Sequence, residues 1–188
     1  MVELAMRLSQ ALETSDRGIP ADHVQRKALV SRMFNAEGRS LVRLARIFTD
    51  DRASAEDLVQ EAFIRLYHSA HRIEDPAKVA PYLRSILLNL CRDHNRRGLL
   101  SLRHLQTAVE HTDAAGPEDD VVRTEGQAQV LDALHRLSPR QRECLVLRFY
   151  FDLSETEIAK TLTISPNSVK THCQRGMAAM RQILEEEE

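Results

Sequence analysis

The chain has 188 residues, of which 26 are basic, 28 are acidic, 43% are apolar and only eight are aromatic. So few aromatic residues and β-branched runs favour helices with narrow apolar stripes over a β-sandwich or barrel. No apolar run reaches the roughly 18 residues of a membrane span, and no secretory leader is evident. We therefore predict an all-α protein of the cytoplasm, with no membrane insertion of its own.

Apolar side chains recur at helical spacing along most of the chain. The pattern predicts a helix around residues 22–35 and a second one whose stripe of Leu41, Leu44 and Phe48 ends at a polar turn over residues 49–52. These two segments are expected to be separate elements of one bundle.

Capping residues mark the next two helices. Ser54 is expected to cap a helix, with Asp57 at the reciprocal position of a capping box. Pro81 favours the first turn of another helix, which is expected to end before Gly98. With the preceding helices, these would form one compact domain over residues 25–100.

Residues 101–124 lose the helical periodicity and contain Gly, Pro and several acids, which is typical of a linker. Periodicity returns in residues 125–188, where Ser138, Ser154 and Ser165 each have the pattern of a helix N-cap. The expected architecture is thus two small helical domains joined by a flexible linker.

Residues 1–24 precede the first domain. Leu4, Leu8 and Leu12 could line an amphipathic helix. The sequence leaves two interpretations open: a regulatory extension or a removable segment.

Charge is strongly segregated along the chain. Residues 50–61 carry a net charge of −4, residues 81–104 carry +4, residues 110–125 carry −5 and residues 166–184 carry +3. Two basic stretches suggest two surfaces that face a polyanion. On charge alone, solvated helix faces remain the more ordinary explanation.

Cysteine and histidine patterns give no sign of a metal or disulfide framework. Cys91, Cys144 and Cys173 are far apart and lie inside apolar helical patterns, so we expect buried thiols. His68 and His71 are close in sequence but lack further ligands. No cofactor is expected.

The segment from Ile158 to Val169 has the apolar spacing of a helix-turn-helix, although Thr163 stands where the turn commonly has Gly. The following helix carries outward residues of types that bond base edges or phosphates in a major groove. They are Asn167, Ser168, Lys170, Thr171, His172 and Arg175.

Taken together, the two halves resemble the bacterial RNA polymerase sigma factors, specifically the extracytoplasmic-function (ECF) group. DRASAEDLVQEAFIRLY (51–67) is similar to the polymerase-binding helix of region 2, and PYLRSILLNLCRDHNRR (81–97) is similar to the promoter-melting helix. LSPRQRECLVLRFYFDLSETEIAKTLTISPNSVKTH (137–172) resembles region 4. The order of the two blocks and the linker between them also match the family.

The resemblance implies that Asp57, Gln60 and Glu61 dock on core RNA polymerase. It further implies that the first domain captures the minus-10 promoter element as a single strand, whose bases need a stacking surface and whose backbone needs cations. The implied contacts are Arg72, Lys78, Tyr82, Arg84, Asn89, Arg92, Arg96 and Arg97. For Tyr82, a core aromatic and a stacking platform are equally open interpretations. The final helix would read the minus-35 element as duplex DNA.

The resemblance implies no catalytic site, because polymerisation belongs to the partner enzyme. It also implies a regulatory anti-sigma factor as a partner. The linker over residues 101–124 would either enter the nucleic-acid channel of the polymerase or act only as a tether.

Two rival functions fit the sequence less well. A two-component response regulator also carries a helix-turn-helix of this kind, but it needs an α/β receiver domain, and residues 1–124 show no alternating strand and helix pattern. An enzyme that uses Cys, His and Asp is disfavoured because the sequence has no Gly-rich loop, nucleophile elbow or metal-ligand spacing.

Overall fold

The computed structural model describes residues 2–14, 20–49, 51–104 and 125–186. The chain divides into two compact units, Met1–Thr112 and Asp113–Glu188. The described residues form helices and turns and include no β-strand, so the all-α prediction is confirmed. None of the described helices is both long and apolar enough to cross a membrane.

Four α-helices build the first unit: α1 (Val2–Thr14), α2 (Pro20–Arg46), α3 (Arg52–Ser69) and α4 (Val79–His104). Two short 3-10 helices, Ala70–Arg72 and Pro76–Lys78, join α3 to α4. The central helix is α3, which packs against α1, α2 and α4.

The core of the first unit follows from the apolar spacing of α3. Val59, Phe63 and Leu66 are fully buried at intervals of four and three residues, so they share one inward face. Burial of each such side chain contributes about 1.5–3 kcal/mol relative to exposure. The ring of Phe34 in α2 packs against Phe63 with centroids 5.5 Å apart.

One predicted boundary in the first unit is wrong: the segment 22–35 and residues 41–46 belong to a single helix, α2. The segment between them has no apolar stripe, but it contains only one strong helix breaker, Gly38. A single internal Gly costs about 1 kcal/mol relative to Ala, which the packing of α2 on α3 and α4 outweighs.

The cap of α3 also differs from the prediction. Asp51, not Ser54, is the N-cap, and its carboxylate accepts from the Ser54 backbone N–H at 2.8 Å and from the Ser54 hydroxyl at 2.6 Å. Both hydrogen bonds favour the ionised form, so they lower the pKa of Asp51. Asp57 therefore lies in the second turn, outside the cap.

Helix α4 is longer than predicted at both ends. It starts at Val79, so Pro81 lies in the first turn, where its missing N–H would have no intrahelical partner in any case. It continues past Gly98 to His104, so the first four residues of the predicted linker, 101–104, are helical. The rest of the predicted linker, residues 105–124, lies outside the described residues.

Helices α5 (Glu125–Arg136), α6 (Pro139–Phe149), α7 (Glu155–Leu162) and α8 (Pro166–Glu185) form the second unit. Its core includes Ala133 of α5, Leu137 just after the end of α5, Leu145 of α6 and Met180 of α8. The predicted caps Ser138, Ser154 and Ser165 directly precede α6, α7 and α8.

A glycine sets the distance between α6 and α8. A Cβ built on Gly176 would lie 3.1 Å from the Leu145 side chain and 3.3 Å from Cβ of Gln141. A side chain at position 176 would therefore require Leu145 or Gln141 to shift by a few tenths of an ångström.

Arg142 joins α5 to α6. Its guanidinium donates from Nε to the Leu134 carbonyl at 2.8 Å and from Nη2 to the carbonyls of His135 and Leu137, which lie at the C-terminal end of α5. A cation in this position satisfies carbonyls that the helix itself leaves without partners. Burial lowers the pKa of Arg142.

The three cysteines lie where the apolar pattern predicts. Cys91 and Cys144 are buried and Cys173 is partly buried, all as free thiols. In the second unit Cys144 of α6 and Cys173 of α8 are close enough for each thiol to affect the pKa of the other. Desolvation is the main reason that the pKa of Cys144 is raised to about 12.

Candidate nucleic-acid interface

The predicted polymerase contacts lie on one side of α3. Asp57 and Glu61 are four residues apart and therefore adjacent on the helix surface, with Gln60 beside them. Glu61 forms an exposed pair with Arg65 at 2.7 Å. We call Asp57, Gln60 and Glu61 the acidic face of α3.

Helix α1 lies against this acidic face. Nη2 of Arg7 is 2.7 Å from Oδ1 of Asp57, and the Gln60 amide donates to the Arg7 carbonyl at 3.5 Å. Leu4, Leu8 and Leu12 are all buried, which confirms that they form one apolar face of α1. Two of the three predicted polymerase contacts, Asp57 and Gln60, thus have partners in α1, whereas Glu61 pairs within α3.

Tyr82 stands in the first turn of α4 and exposes 40% of its surface. Asn89 and Arg96 follow at intervals of seven residues, so the three side chains lie on the same face of the helix. Arg92 donates from Nη1 to Oδ1 of Asn89 at 2.7 Å. We call Tyr82, Asn89, Arg92 and Arg96 the outer face of α4.

Arg84 does not belong to this outer face. Its Nη2 lies 2.7 Å from Oε1 of Glu37 in α2, and the two side chains are only 12% and 20% exposed. The Arg84 guanidinium therefore pairs with Glu37 and joins α4 to α2, and its contact with DNA stays a prediction.

The remaining predicted minus-10 contacts differ in their surroundings. Arg72 is exposed in the first 3-10 helix and donates to Nε2 of His71 at 3.3 Å. Lys78 is 76% exposed and lies 3.9 Å from Asp75, and Arg96 pairs with Asp93 at 3.5 Å. Such exposed pairs contribute little stability, so these cations are available to a polyanion. The side chain of Arg97 lies outside the described residues.

Helix α8 separates an apolar face from a polar one. Val169, Gly176 and Met180 are buried, at spacings of seven and four residues. The polar side holds Asn167, Lys170, Thr171 and Arg175, which are exposed, while Ser168 and His172 are partly buried. We call Asn167, Ser168, Lys170, Thr171, His172 and Arg175 the polar face of α8.

Two hydroxyls on this polar face are committed to the helix itself. Thr171 donates to the Asn167 carbonyl at 2.9 Å. The Ser168 hydroxyl lies 2.9 Å from that of the cap residue Ser165, and the Ser168 backbone N–H donates to Ser165 Oγ at 3.1 Å. Asn167, Lys170 and Arg175 are therefore the side chains of this face best placed to reach an external partner.

The turn between α7 and α8 adopts the conformation that glycine favours, but with a β-branched residue. Thr163 has φ 55° and ψ 50°, in the left-handed region, and its backbone N–H donates to the Ala159 carbonyl. This conformation costs about 1–2 kcal/mol for an L-residue with a side chain. Burial of Leu162, Ile158 and Val169 around the turn holds it in place.

Three functional or structural partners were not predicted from the sequence: Arg7, Glu37 and Arg142. The leucine stripe of α1 could have indicated that Arg7 has a partner, because a residue beside an apolar face lies at the edge of the contact that this face makes. Glu37 and Arg142 had no comparable signal, since their partners depend on how the helices pack.

Comparisons with known proteins agree with the division of the chain into two units. Residues 33–98 match the family model for sigma-70 region 2, and residues 127–180 match the model for sigma-70 region 4. The first match covers the second half of α2, all of α3 and α4 up to Gly98, and the second runs from Gln127 in α5 to Met180 in α8.

Among characterised relatives, the RNA polymerase sigma-E factor of Streptomyces avermitilis is 31% identical over 78% of this chain and 79% of its own length. The ECF RNA polymerase sigma factor SigM of Mycobacterium tuberculosis is 28% identical over 92% of this chain and 86% of its own. Both alignments extend across the two units.

Solved structures show the same fold at lower identity. The sigma factor RpoE in complex with the anti-sigma factor NepR from Bartonella quintana superposes with a TM-score of 0.69 at 19% identity, covering 82% of this chain and 96% of that one. CnrH in complex with the cytosolic domain of CnrY gives a TM-score of 0.64 at 23% identity, covering 89% and 99%.

Proposed function

Since the chain belongs to the extracytoplasmic-function group of bacterial sigma factors, we propose that its two units divide promoter recognition between them. The chain binds core RNA polymerase in the cytoplasm and directs it to initiate at specific promoters. The first unit takes the minus-10 element and the second takes the minus-35 element. The observation that carries this proposal is the presence of both regions, in order, on one chain.

We assign polymerase docking to the acidic face of α3. Carboxylates repel DNA but suit a basic protein surface, where complementary charge speeds association and fixes the orientation of the partner. Glu61 is the most informative member, because its pair with Arg65 is local to α3 and independent of α1.

We assign capture of the opened minus-10 strand to the outer face of α4, together with Arg72, Lys78 and Arg97. An exposed aromatic ring next to cations suits single-stranded DNA, since bases stack on the ring and phosphates pair with the cations. Arg84 is left out of this assignment because it is paired with Glu37.

The polar face of α8 is assigned to the minus-35 duplex. In a helix-turn-helix, the first turns of the second helix enter the major groove. Asn167 and Lys170 lie in those turns, and Arg175 lies one turn further on.

We assign no catalytic role to the chain, because the chemistry of RNA synthesis belongs to the polymerase. An anti-sigma factor is a further proposed partner, since one solved structure of the same fold is a complex of the sigma factor RpoE with the anti-sigma factor NepR. The response-regulator alternative has no support, since residues 33–98 match region 2 where a receiver domain would have to lie.

Transcription in vitro tests the proposal directly. Purified chain and core polymerase should give discrete run-off transcripts from genomic fragments, whereas core polymerase alone should give none. Binding of the chain to the fragments without any gain in initiation would contradict the proposal.

A further inference from the structure

Helix α1 occupies the surface that docking requires. Arg7 is the cation that faces Asp57, at 2.7 Å, and the amide group of Gln60 lies against the backbone of the same residue at 3.5 Å. A basic side chain of a docking protein that paired with Asp57 would have to take the position of Arg7. Core polymerase and α1 therefore need the same part of the acidic face of α3.

Two features hold α1 on α3. Leu4, Leu8 and Leu12 are only 1%, 4% and 2% exposed, so the apolar face of α1 is removed from water. The Arg7 to Asp57 pair is its polar complement, but with side chains 45% and 60% exposed it adds little to the affinity of the contact. The leucines supply the attachment and Arg7 supplies the match in charge.

The contact between α1 and α3 also leaves one buried hydrogen-bond acceptor unsatisfied. Oε1 of Gln60 is buried and accepts no hydrogen bond from any described residue. A buried acceptor without a donor opposes the association that buries it. A partner that offers a donor at Gln60 therefore gains an interaction that α1 does not provide.

We propose that α1 is an intramolecular competitor of core RNA polymerase, which covers Asp57 and Gln60 in the free protein and leaves α3 when the polymerase docks. This inference rests on the proposed docking role of the acidic face. The apparent dissociation constant for the polymerase is then the intrinsic constant divided by the fraction of molecules in which α1 is open. Any change that loosens α1 must strengthen polymerase binding.

Two substitutions in the full chain loosen α1 to different extents. Arg7→Ala removes the exposed ion pair and should strengthen core polymerase binding about two- to fivefold. Leu8→Ala empties part of the buried face and should strengthen it at least about tenfold. Met6→Ala is the matched control, since Met6 is on the same helix but 68% exposed, and it should leave the affinity unchanged. Titration of labelled protein with core polymerase measures all three.

Hydrogen exchange gives a second measurement that needs no substitution. When core polymerase binds the parent protein, backbone amides in residues 2–14 should exchange faster, because α1 loses its contact with α3. Unchanged or slower exchange in α1 on binding would overturn the proposal. So would equal or weaker polymerase binding by both Arg7→Ala and Leu8→Ala.

Glu61→Lys separates this inference from the proposed function. Loss of polymerase binding in Glu61→Lys, with no effect of the two α1 substitutions, would overturn the competitor role and leave docking on α3 intact. Tighter binding by the α1 variants supports the competitor role even if Glu61→Lys binds normally, since docking would then centre on Asp57 and Gln60. Absence of binding and transcription by the parent protein would overturn both.

Discussion

The guanidinium of Arg84 in α4 lies 2.7 Å from the carboxylate of Glu37 in α2, and both side chains are mostly buried. The two residues are 47 positions apart, so the pair forms only when the bundle is assembled. It joins the helix proposed to capture the minus-10 strand to its neighbour, and it explains why one Arg of the basic stretch 81–104 belongs to the interior.

Arg84→Met should lower the free energy of unfolding by about 1–3 kcal/mol, because the buried Glu37 carboxylate loses its partner. The double variant Arg84→Met with Glu37→Met should recover most of that loss, since no buried charge remains. Denaturant unfolding followed by circular dichroism measures both. Arg96→Met is the matched control, because Arg96 pairs with Asp93 at the surface, and its stability should change little. An Arg84→Met protein with the same free energy of unfolding as the parent would contradict the stabilising role of the Arg84–Glu37 pair.

Asp51→Ala should destabilise the start of α3 by about 1 kcal/mol, the usual cost of losing an N-cap. The pKa of Asp51 is lowered in the folded protein, chiefly by its hydrogen bonds with Ser54. Its contribution is therefore complete above the ordinary carboxyl pKa and is lost as the pH falls through the folded value. Thermal unfolding at several acidic pH values tests this. Asp51→Asn keeps an acceptor without the charge, so it should retain stability and lose only the dependence on pH.

Tyr82→Ala should impair promoter opening, because stacking on an aromatic side chain contributes about 1–3 kcal/mol per base. Tyr82→Phe keeps the ring and should open promoters nearly as well as the parent. Permanganate reactivity of minus-10 thymines in the polymerase complex measures the opened strand. Tyr150→Ala is a control of equal exposure in the other unit. Normal opening by Tyr82→Ala would show that the ring is not the stacking platform.

Substitutions on the polar face of α8 should fall into two classes. Lys170→Ala and Arg175→Ala should weaken binding to all minus-35 sequences and reduce its salt dependence, as expected for phosphate contacts. Asn167→Ala should relax the preference at one base pair, at a cost of about 1–3 kcal/mol for the preferred base. Selection from randomised minus-35 elements at two salt concentrations separates the classes.

The control for α8 is Arg181→Ala, because Arg181 is exposed on the last turns of the helix, away from the part proposed to enter the groove. It should select the parent sequence with the parent affinity. If the variants at positions 167, 170 and 175 behave like Arg181→Ala, the helix is not the reader of the duplex.

The Cys144 thiol should resist alkylation in the folded protein at pH 8, because its pKa is raised to about 12 and the thiolate is the reactive form. The raised pKa of Cys144 should also make the free energy of unfolding depend on pH. Above the ordinary thiol pKa the unfolded chain releases the Cys144 proton while the folded chain keeps it, so stability declines as the pH rises toward 12. Mass spectrometry after alkylation and alkaline thermal unfolding measure these effects. Cys144→Ala should show a shallower decline, and rapid modification of folded Cys144 would contradict the burial.

The sequence by itself determined the elements whose stabilising contacts are local. The caps at Ser154 and Ser165 depend on hydrogen bonds within four residues, and both precede helices as predicted. The apolar stripes likewise identified the two helical units, because periodicity at 3.6 residues is a property of each segment alone.

Tertiary structure decided which polar residues face outward. Arg84 and Arg96 look alike in the sequence, yet the first is paired with Glu37, 47 residues away, and the second lies at the surface. Asp57 lies on the exposed side of α3 but forms an ion pair with Arg7, 50 residues away. The helical repeat of 3.6 residues shows which side chains share a face but not which element packs against that face. Whether a polar side chain at the edge of an apolar stripe is exposed or paired therefore depends on the neighbouring element.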